Sequence, residues 1–243
     1  MRLDQAQLKE LNNMYSDKSA EEVLKWTLDN LHPKVALASS FGAEDVVLID
    51  MLTKINPEAR IFTLDTGRLN QETYDVMDNL RSNYKIKFEV MFPNQDDVEA
   101  MVREHGMNLF YRSQANRKLC CGIRKVAPLT KILSTLDGWI TGIRADQTQN
   151  RGNANKFEID NQYGGILKAN PLIDWTWDQV WDYIKVNKVP YNKLHDNGYP
   201  SIGCEPCTRA VKEGEDLRAG RWWWESESDK ECGLHMEHRA ETA

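Results

Sequence analysis

Strand, turn and helix succeed one another along most of this chain, and that alternation limits its architecture more than any other feature. Val35-Ala36-Leu37-Ala38 is a short apolar run of strand type. It feeds the small-residue turn Ser39-Ser40-Phe41-Gly42, and Glu44-Asp45 ahead of Val46-Val47-Leu48-Ile49 reads as a helix start with acids in its first turn. The pattern recurs. Residues 60–64 read as a strand ending in Asp65-Thr66-Gly67, followed by a helix through Tyr74 and Leu80. Residues 87–92 read as a third strand with a helix from Asp96 onward, residues 139–143 as a fourth, and residues 166–172 as a fifth. Ahead of them, residues 3–31 carry Leu8, Leu11, Val23, Leu24 and Leu28 at helical spacing, which predicts one or two amphipathic helices. Strands alternating with helices predict an α/β fold, a parallel sheet with helices on both faces. Ligands of such sheets sit at the carboxyl ends of the strands. Residues 39–42, 65–67 and 142–144 all follow predicted strands. From Asn187 the pattern turns irregular, with Pro190, Pro200 and Pro206 and then a Trp-rich, acidic segment. No internal repeat interrupts the chain, so one domain is expected over residues 1–215 with a mobile functional tail over residues 216–243.

Five cysteines are the next constraint. Cys120 and Cys121 stand side by side, Cys204 and Cys207 flank Glu205-Pro206, and Cys232 is alone near the end. Two pairs from two structural elements can surround one soft metal centre, because thiolates favour zinc and iron–sulfur clusters. Spacing does not separate zinc from iron. Residues 105–136 contain no acid but carry Arg112, Arg117, Lys118, Arg124, Lys125 and Lys131 around the first pair. Those cations would lower the cost of an anionic thiolate centre or attract a phosphate-bearing ligand; a solvated basic helix face is the plainer reading. Around Cys232, Glu227, Asp229 and Glu231 disfavour a thiolate, so reactivity there needs cations such as Arg218, Arg221 and His235.

The remaining motifs are weaker. The turn at residues 39–42 can offer hydroxyls and N–H groups to an anion at a helix start, but no Gly-Lys-Ser/Thr follows, and it lacks the full Gly-rich form of loops that split ATP to pyrophosphate. Arg144 and Arg151 follow the fourth predicted strand and suit oxyanions. Trp175, Trp177 and Trp181, with Val180 and Ile184, read as a helix packing into the core, with stacking on a base the lesser alternative. With 243 residues and 41% hydrophobic content the chain can build one full core. No leader pattern and no apolar run of membrane-spanning length is present, which predicts neither export nor membrane insertion. An odd cysteine count then fits the reducing cytoplasm. A net charge of −6 argues against a general nucleic-acid binder.

Taken together in this order, the motifs resemble the assimilatory sulfonucleotide reductases, specifically the bacterial adenylyl-sulfate reductases. The marks are Ser39-Ser40-Phe41-Gly42-Ala43-Glu44-Asp45, Leu64-Asp65-Thr66-Gly67-Arg68-Leu69, Cys120-Cys121 with Arg124-Lys125, Gly142-Ile143-Arg144, the Cys204 and Cys207 pair, Gly220-Arg221-Trp222 and Glu231-Cys232-Gly233-Leu234-His235. The resemblance implies an adenine-nucleotide alpha-hydrolase-like (PP-loop) domain. It implies that Cys232 attacks the sulfur of adenylyl sulfate, releasing AMP and leaving an S-sulfocysteine, which thioredoxin or a similar dithiol resolves to sulfite. It places Ser39, Ser40, Phe41 and Gly42 against the phosphosulfate, and Leu64, Asp65, Thr66, Gly67 and Gly142 around the adenosine. Arg144, Arg218, Arg221 and His235 are expected at the anionic end or the thiolate. It also implies one [4Fe–4S] cluster per chain on Cys120, Cys121, Cys204 and Cys207, with Lys125 between cluster and substrate. No thioredoxin-like segment follows His235, so an external reductant is expected.

Three other readings stand beside it. The same chemistry on 3′-phosphoadenylyl sulfate is the nearest, and relatives using that substrate generally lack both cysteine pairs. An ATP-pyrophosphatase-type ligase or sulfurtransferase would share the fold, against the altered loop. A non-enzymatic metal-thiolate protein that binds nucleotide is the third. Self-association is left open by the sequence.

Overall fold

Several helices in this chain begin where a side-chain oxygen accepts from their first N–H groups. The computed structural model describes residues 3–147 and 154–225. Asp4 caps α1 (Gln5–Tyr15) and Ser19 caps α2 (Ala20–Leu31), each with a Gln or Glu three residues on that returns the bond. Residues 3–31 therefore form two helices.

Four parallel ladders follow from the alternation. The strands β1 (Val35–Ala38), β2 (Arg60–Leu64), β3 (Glu89–Met91) and β4 (Gly138–Ile140) join a six-stranded sheet of order β3-β2-β1-β4-β6-β5. The helices α3 (Ala43–Ile55), α4 (Gln71–Tyr84) and α5 (Gln95–His105) connect the first three strands and lead out of the third. The strand β6 (Ile166–Ala169) runs parallel to β4, and β5 (Phe157–Asp160) runs antiparallel to β6 at the sheet edge. The sheet is thus mostly parallel, with one antiparallel edge strand.

Side-chain alternation divides the strands between two cores. Val35, Leu37, Ile61 and Ile140 point into the larger one, under α2, α3 and α8 (Trp177–Asn187). Ala36, Phe62 and Trp139 point to the opposite face, against Leu129, Ile132 and Leu133 of α7 (Ala127–Leu133). Trp175, Trp177 and Trp181 pack against the larger core as the helix reading expected. Inside it, the buried Asp50 carboxylate accepts from Tyr84 Oη (2.7 Å), Tyr183 Oη (2.6 Å) and Lys54 Nζ (2.6 Å), tying α3 to α4 and α8.

A third cluster lies beyond β3. Met101, Leu109, Phe110 and Trp222 pack with Cys204 and Cys207. Here α6 (Gln114–Cys121) passes into α7 through one turn of π-helix, with Ala127 N–H bonded to Gly122 O five residues back. Single π turns of this kind recur at functional sites. Residues 216–225 are part of this packing: Arg221 bridges Thr208, and Trp222 N–H donates to Cys207 O. No helix among the described residues is long and apolar enough to cross a membrane.

Candidate active site

Chain order reverses around β1: the connections run outward to β2 and β3, then return to β4 on the other side. That switch point leaves a crevice at the carboxyl ends of β1 and β4, the position where open α/β sheets take ligands. A cavity of about 270 Å³ opens there. Ser39, Ser40 and Gly42 line it from the β1 end, Leu64 and Thr66 from β2, and Gly142 from β4.

The β1 loop is held from within. Phe41 takes a left-handed conformation (φ 60°), strained for a bulky residue, and its ring is fully buried edge-on to Phe88. The ring therefore pins the turn to the core and does not reach the cavity. The N–H and hydroxyl of Ser40 both donate to Asp45 Oδ2, at 2.6 and 2.9 Å. Ser39 Oγ accepts from Phe41 N–H. The Asp45 carboxylate thus occupies donors at the start of α3 that an anion would otherwise take. Burial pushes the Asp45 carboxyl up to about 6, the Glu44 charge adds to that, and the Ser40 and Gly42 donors oppose it. Gly142 is obligatory at this contact, because a Cβ there would stand 2.6 Å from Asp45 Oδ1.

Cations must therefore come from elsewhere. Arg144 is buried and already engaged: its Nε donates to Glu44 Oε1 (2.8 Å), Nη1 pairs with Asp146, and the guanidinium lies 5.4 Å from the Trp177 ring centroid. Arg218 and Arg221 line the opposite wall. Arg221 is buried, and its Nε has no partner among the described residues. Gly203 leaves room for it, since any side chain there would collide with the guanidinium. Arg221 Nη1 makes only long contacts, 3.4 Å to Ser201 Oγ and 3.5 Å to Ile202 O, so a buried guanidinium with donors to spare lines the cavity and is suited to an oxyanion.

The cysteine pairs meet at a second, smaller cavity lined by Cys120, Cys121, Cys204 and Cys207 with Arg117 and Lys125. None of the four forms a disulfide among the described residues. Arg124 stitches this region to β2 by donating to Thr66 O (2.6 Å), and the Thr66 hydroxyl lies 3.3 Å from Cys204 Sγ. Burial would raise the Cys204 thiol, yet Lys125, the Thr66 hydroxyl, Arg221 and Arg124 together hold it below its usual range. Burial pushes Cys207 up to about 12, with the Cys204 charge adding to it. Burial likewise raises Cys120. Among the described residues no three His, Cys, Asp or Glu side chains stand close enough to hold a single metal ion. Cys204 and Lys125 line both cavities, so the two share a wall.

Of the residues expected at the site, Ser39, Ser40, Gly42, Leu64, Thr66, Gly142, Arg144, Arg218, Arg221 and Lys125 line the first cavity. Asp65 and Gly67 do not line it; Asp65 accepts from Gly67 N–H and Tyr74 Oη, closing the β2 turn. Cys232, His235 and Arg151 lie outside the described residues. Asp45 and Glu44 are wall residues that the sequence reading does not place there, and Trp177, read chiefly as a core residue, joins them. The acids carry a helix-start signal and belong to the Ser39–Asp45 motif, but nothing in the sequence shows their contact with Gly142 and Arg144 across about a hundred positions.

Known proteins resemble this chain along most of its length. Residues 34–210 match the phosphoadenosine phosphosulfate reductase domain model. An adenosine 5′-phosphosulfate reductase of Burkholderia cepacia is 50% identical over 205 residues, covering 84% of this chain and 82% of that protein. The adenosine 5′-phosphosulfate reductase of Allochromatium vinosum is 45% identical over 201 residues, covering 83% of this chain and 78% of its own. The crystal structure of a phosphoadenylyl-sulfate reductase from Candida auris, a phosphate complex, superposes with a TM-score of 0.75 at 29% identity, over 87% of this chain and 99% of the other.

Proposed function

This chain belongs to the phosphoadenosine phosphosulfate reductase domain family, among its adenosine 5′-phosphosulfate reductases, and on that premise we propose how it reduces adenylyl sulfate to sulfite and AMP. It is an oxidoreductase acting on sulfur. In the reading supported here, the adenosine end of the substrate enters the apolar part of the first cavity, between Phe62, Leu64, Leu129 and Trp139. The phosphosulfate lies toward Arg218, Arg221 and Lys125. The observation that carries this orientation is Arg221, a buried guanidinium lining the cavity with an Nε that has no partner among the described residues.

The Cys232 thiolate attacks the sulfur of the bound substrate. A S–S bond forms, the S–O bond to phosphate breaks, and AMP leaves with the electron pair. Arg221, with its fixed planar fork, neutralises the charge that gathers on the leaving phosphate. A dithiol reductant such as thioredoxin then attacks Cys232 Sγ, sulfite departs, and its second thiol frees Cys232. Both electrons come from that dithiol, which fits a cytoplasmic location. Arg144 has a different part. Paired to Glu44 and Asp146, it holds the β4 loop against α3 and keeps the cavity floor in shape.

Cys120, Cys121, Cys204 and Cys207 fit an iron–sulfur cluster better than a mononuclear ion. The donors are all sulfur, they surround one cavity, and no three stand close enough for one ion among the described residues. When bound, a [4Fe–4S] cluster would supply structure and a concentrated anionic charge beside Lys125.

The test is the intact mass of anaerobically purified protein after exposure to adenylyl sulfate, and separately to 3′-phosphoadenylyl sulfate, without reductant. One added sulfo group with adenylyl sulfate, mapped to Cys232, absent in Cys232→Ser and lost on adding thioredoxin, is the expected result. Addition from the 3′-phosphorylated substrate alone would overturn the substrate assignment. No adduct with either, on protein that keeps its iron, would overturn the mechanism.

A further inference from the structure

We infer that Arg117 is a positioning residue for the metal centre, donating to the Cys121 sulfur and turning the positive end of a buried ion pair toward the thiol cavity; this rests on the reading of the four cysteines as an iron–sulfur site. The geometry of α6 comes first. Arg117 stands four residues before Cys121, so the two share a helix face, while Lys118 beside it is exposed. The acid-free stretch therefore divides. Lys118 belongs to a solvated basic face, and Arg117, with 1% of its side chain exposed, does not. Its guanidinium lines the thiol cavity and makes a side-chain hydrogen bond to Cys121.

A guanidinium buried this deeply needs an opposite charge. Glu225 supplies it from 108 positions further along, accepting from Arg117 Nε at 2.6 Å. Trp222 covers the same group, its ring centroid 4.5 Å from Cζ. The carboxylate and the indole together fix how the planar fork lies. As a whole the pair is neutral, but it is not symmetric. Arg117 lines the thiol cavity, and no carboxylate among the described residues does. The cavity therefore meets the cation, with Glu225 behind it. Stability does not account for this arrangement. Buried ion pairs are often replaced by apolar side chains of similar volume without loss. This pair is also incompletely satisfied, because Glu225 Oε2 has no partner among the described residues. What it offers beyond an apolar pair is an oriented N–H donor and a positive charge at an all-sulfur site. Groups that hydrogen-bond to metal ligands in this way are worth about 10–100-fold in metal affinity.

Three variants of the full-length, iron-loaded protein separate this role from that of a structural ion pair. Arg117→Met/Glu225→Leu removes both charges and leaves no buried ion unpaired; it should lose iron to a chelator about tenfold faster than the parent, or more. Arg117→Met alone should lose iron at least as fast as the double variant. Glu225→Gln keeps the cation and an acceptor for Nε, and should lose iron no faster than the parent. A structural pair predicts another order, with the apolar double variant sound and both single variants impaired. Resonance Raman spectra of the clusters that stay bound give a second readout. Their iron–thiolate stretching bands should shift in both Arg117 variants and hold their positions in Glu225→Gln. Parent-like iron loss or unshifted bands in the double variant overturn the inference. So does iron loss from Glu225→Gln as fast as from Arg117→Met, or a double variant too unstable to purify. If the parent carries zinc instead, the iron–sulfur reading falls, and the ranking of zinc loss across the same variants decides the inference by itself.

Discussion

Gly142→Ala is the sharpest single perturbation of the cavity floor. A methyl group at this position would stand 2.6 Å from Asp45 Oδ1 and 3.0 Å from Glu44 Cβ. Neither neighbour can step aside cheaply. Asp45 is held by both donors of Ser40, and Glu44 by Arg144 and Gln147. Ordinary contact begins at 3.4 Å, so the end of β4 must move away from α3 by roughly 0.8 Å. Overpacking of that kind costs about 1–3 kcal/mol. At roughly 2–4 °C per kcal/mol for a chain of this size, the melting temperature should drop by several degrees. The same shift opens the switch-point crevice, so AMP affinity should fall about tenfold and sulfonation of Cys232 by more. Gly122→Ala is the control: it has φ −55° and nothing within 4 Å of a Cβ, and alanine there should hold or raise stability. Isothermal calorimetry with AMP and thermal melts of both variants decide the matter. Gly142→Ala binding AMP as the parent does would refute the claim that β4 and α3 form a rigid floor.

Three further outcomes follow from the same contacts. Cys121→Ser should lose iron and thermal stability together, since cluster binding and folding are coupled; visible absorption equal to the parent's would remove Cys121 from the ligand set. Asp45→Asn tests linkage: below the unfolded pKa of 3.8 the buried carboxyl is protonated in both states, and its stabilising contribution is lost as pH rises through about 6. At ~1.4 kcal/mol per pH unit between those values, Asp45→Asn should gain about 3 kcal/mol on the parent between pH 4 and pH 8 in denaturant titrations, and a constant difference would contradict the assignment. Tyr183→Phe removes one of three donors to the buried Asp50 and should cost about 1–3 kcal/mol with AMP affinity unchanged. A parent-like melt would show that Tyr84 and Lys54 satisfy that carboxylate alone.

Much of the frame could be read along the chain. The strands β1 and β2 match their predicted bounds because each is a short apolar run punctuated by a turn that feeds a helix. The fourth run was expected at residues 139–143 and forms β4 at Gly138–Ile140; its last residues leave the ladder to build the Gly142 contact. The strand β5 was missed. Phe157–Asp160 has little apolar signal, and what holds it is remote: β6 on one side and Asn12 of α1, which exchanges two bonds with the Phe157 backbone. The site divides in the same way. Its loops were legible as loops, while the destinations of their donors were not. Ser40 turning to Asp45 is local but depends on the strained Phe41, and Arg144 meeting Glu44 is a contact across the switch point. Sequence periodicity records which face a residue takes, not which partner it finds there.

The wall shared by the two cavities has a thermodynamic consequence. Cys204 and Lys125 border the nucleotide space and the thiol space alike, so whatever charge resides on one side enters the energy of occupying the other. Equilibrium coupling of this sort is reciprocal. If filling the thiol side changes nucleotide affinity by some factor, nucleotide changes the hold on the thiol-side occupant by the same factor. With the proposed cluster in place, the resting and the nucleotide-loaded protein should therefore differ in how readily they surrender iron to a chelator, and loss of that iron should change the grip on AMP.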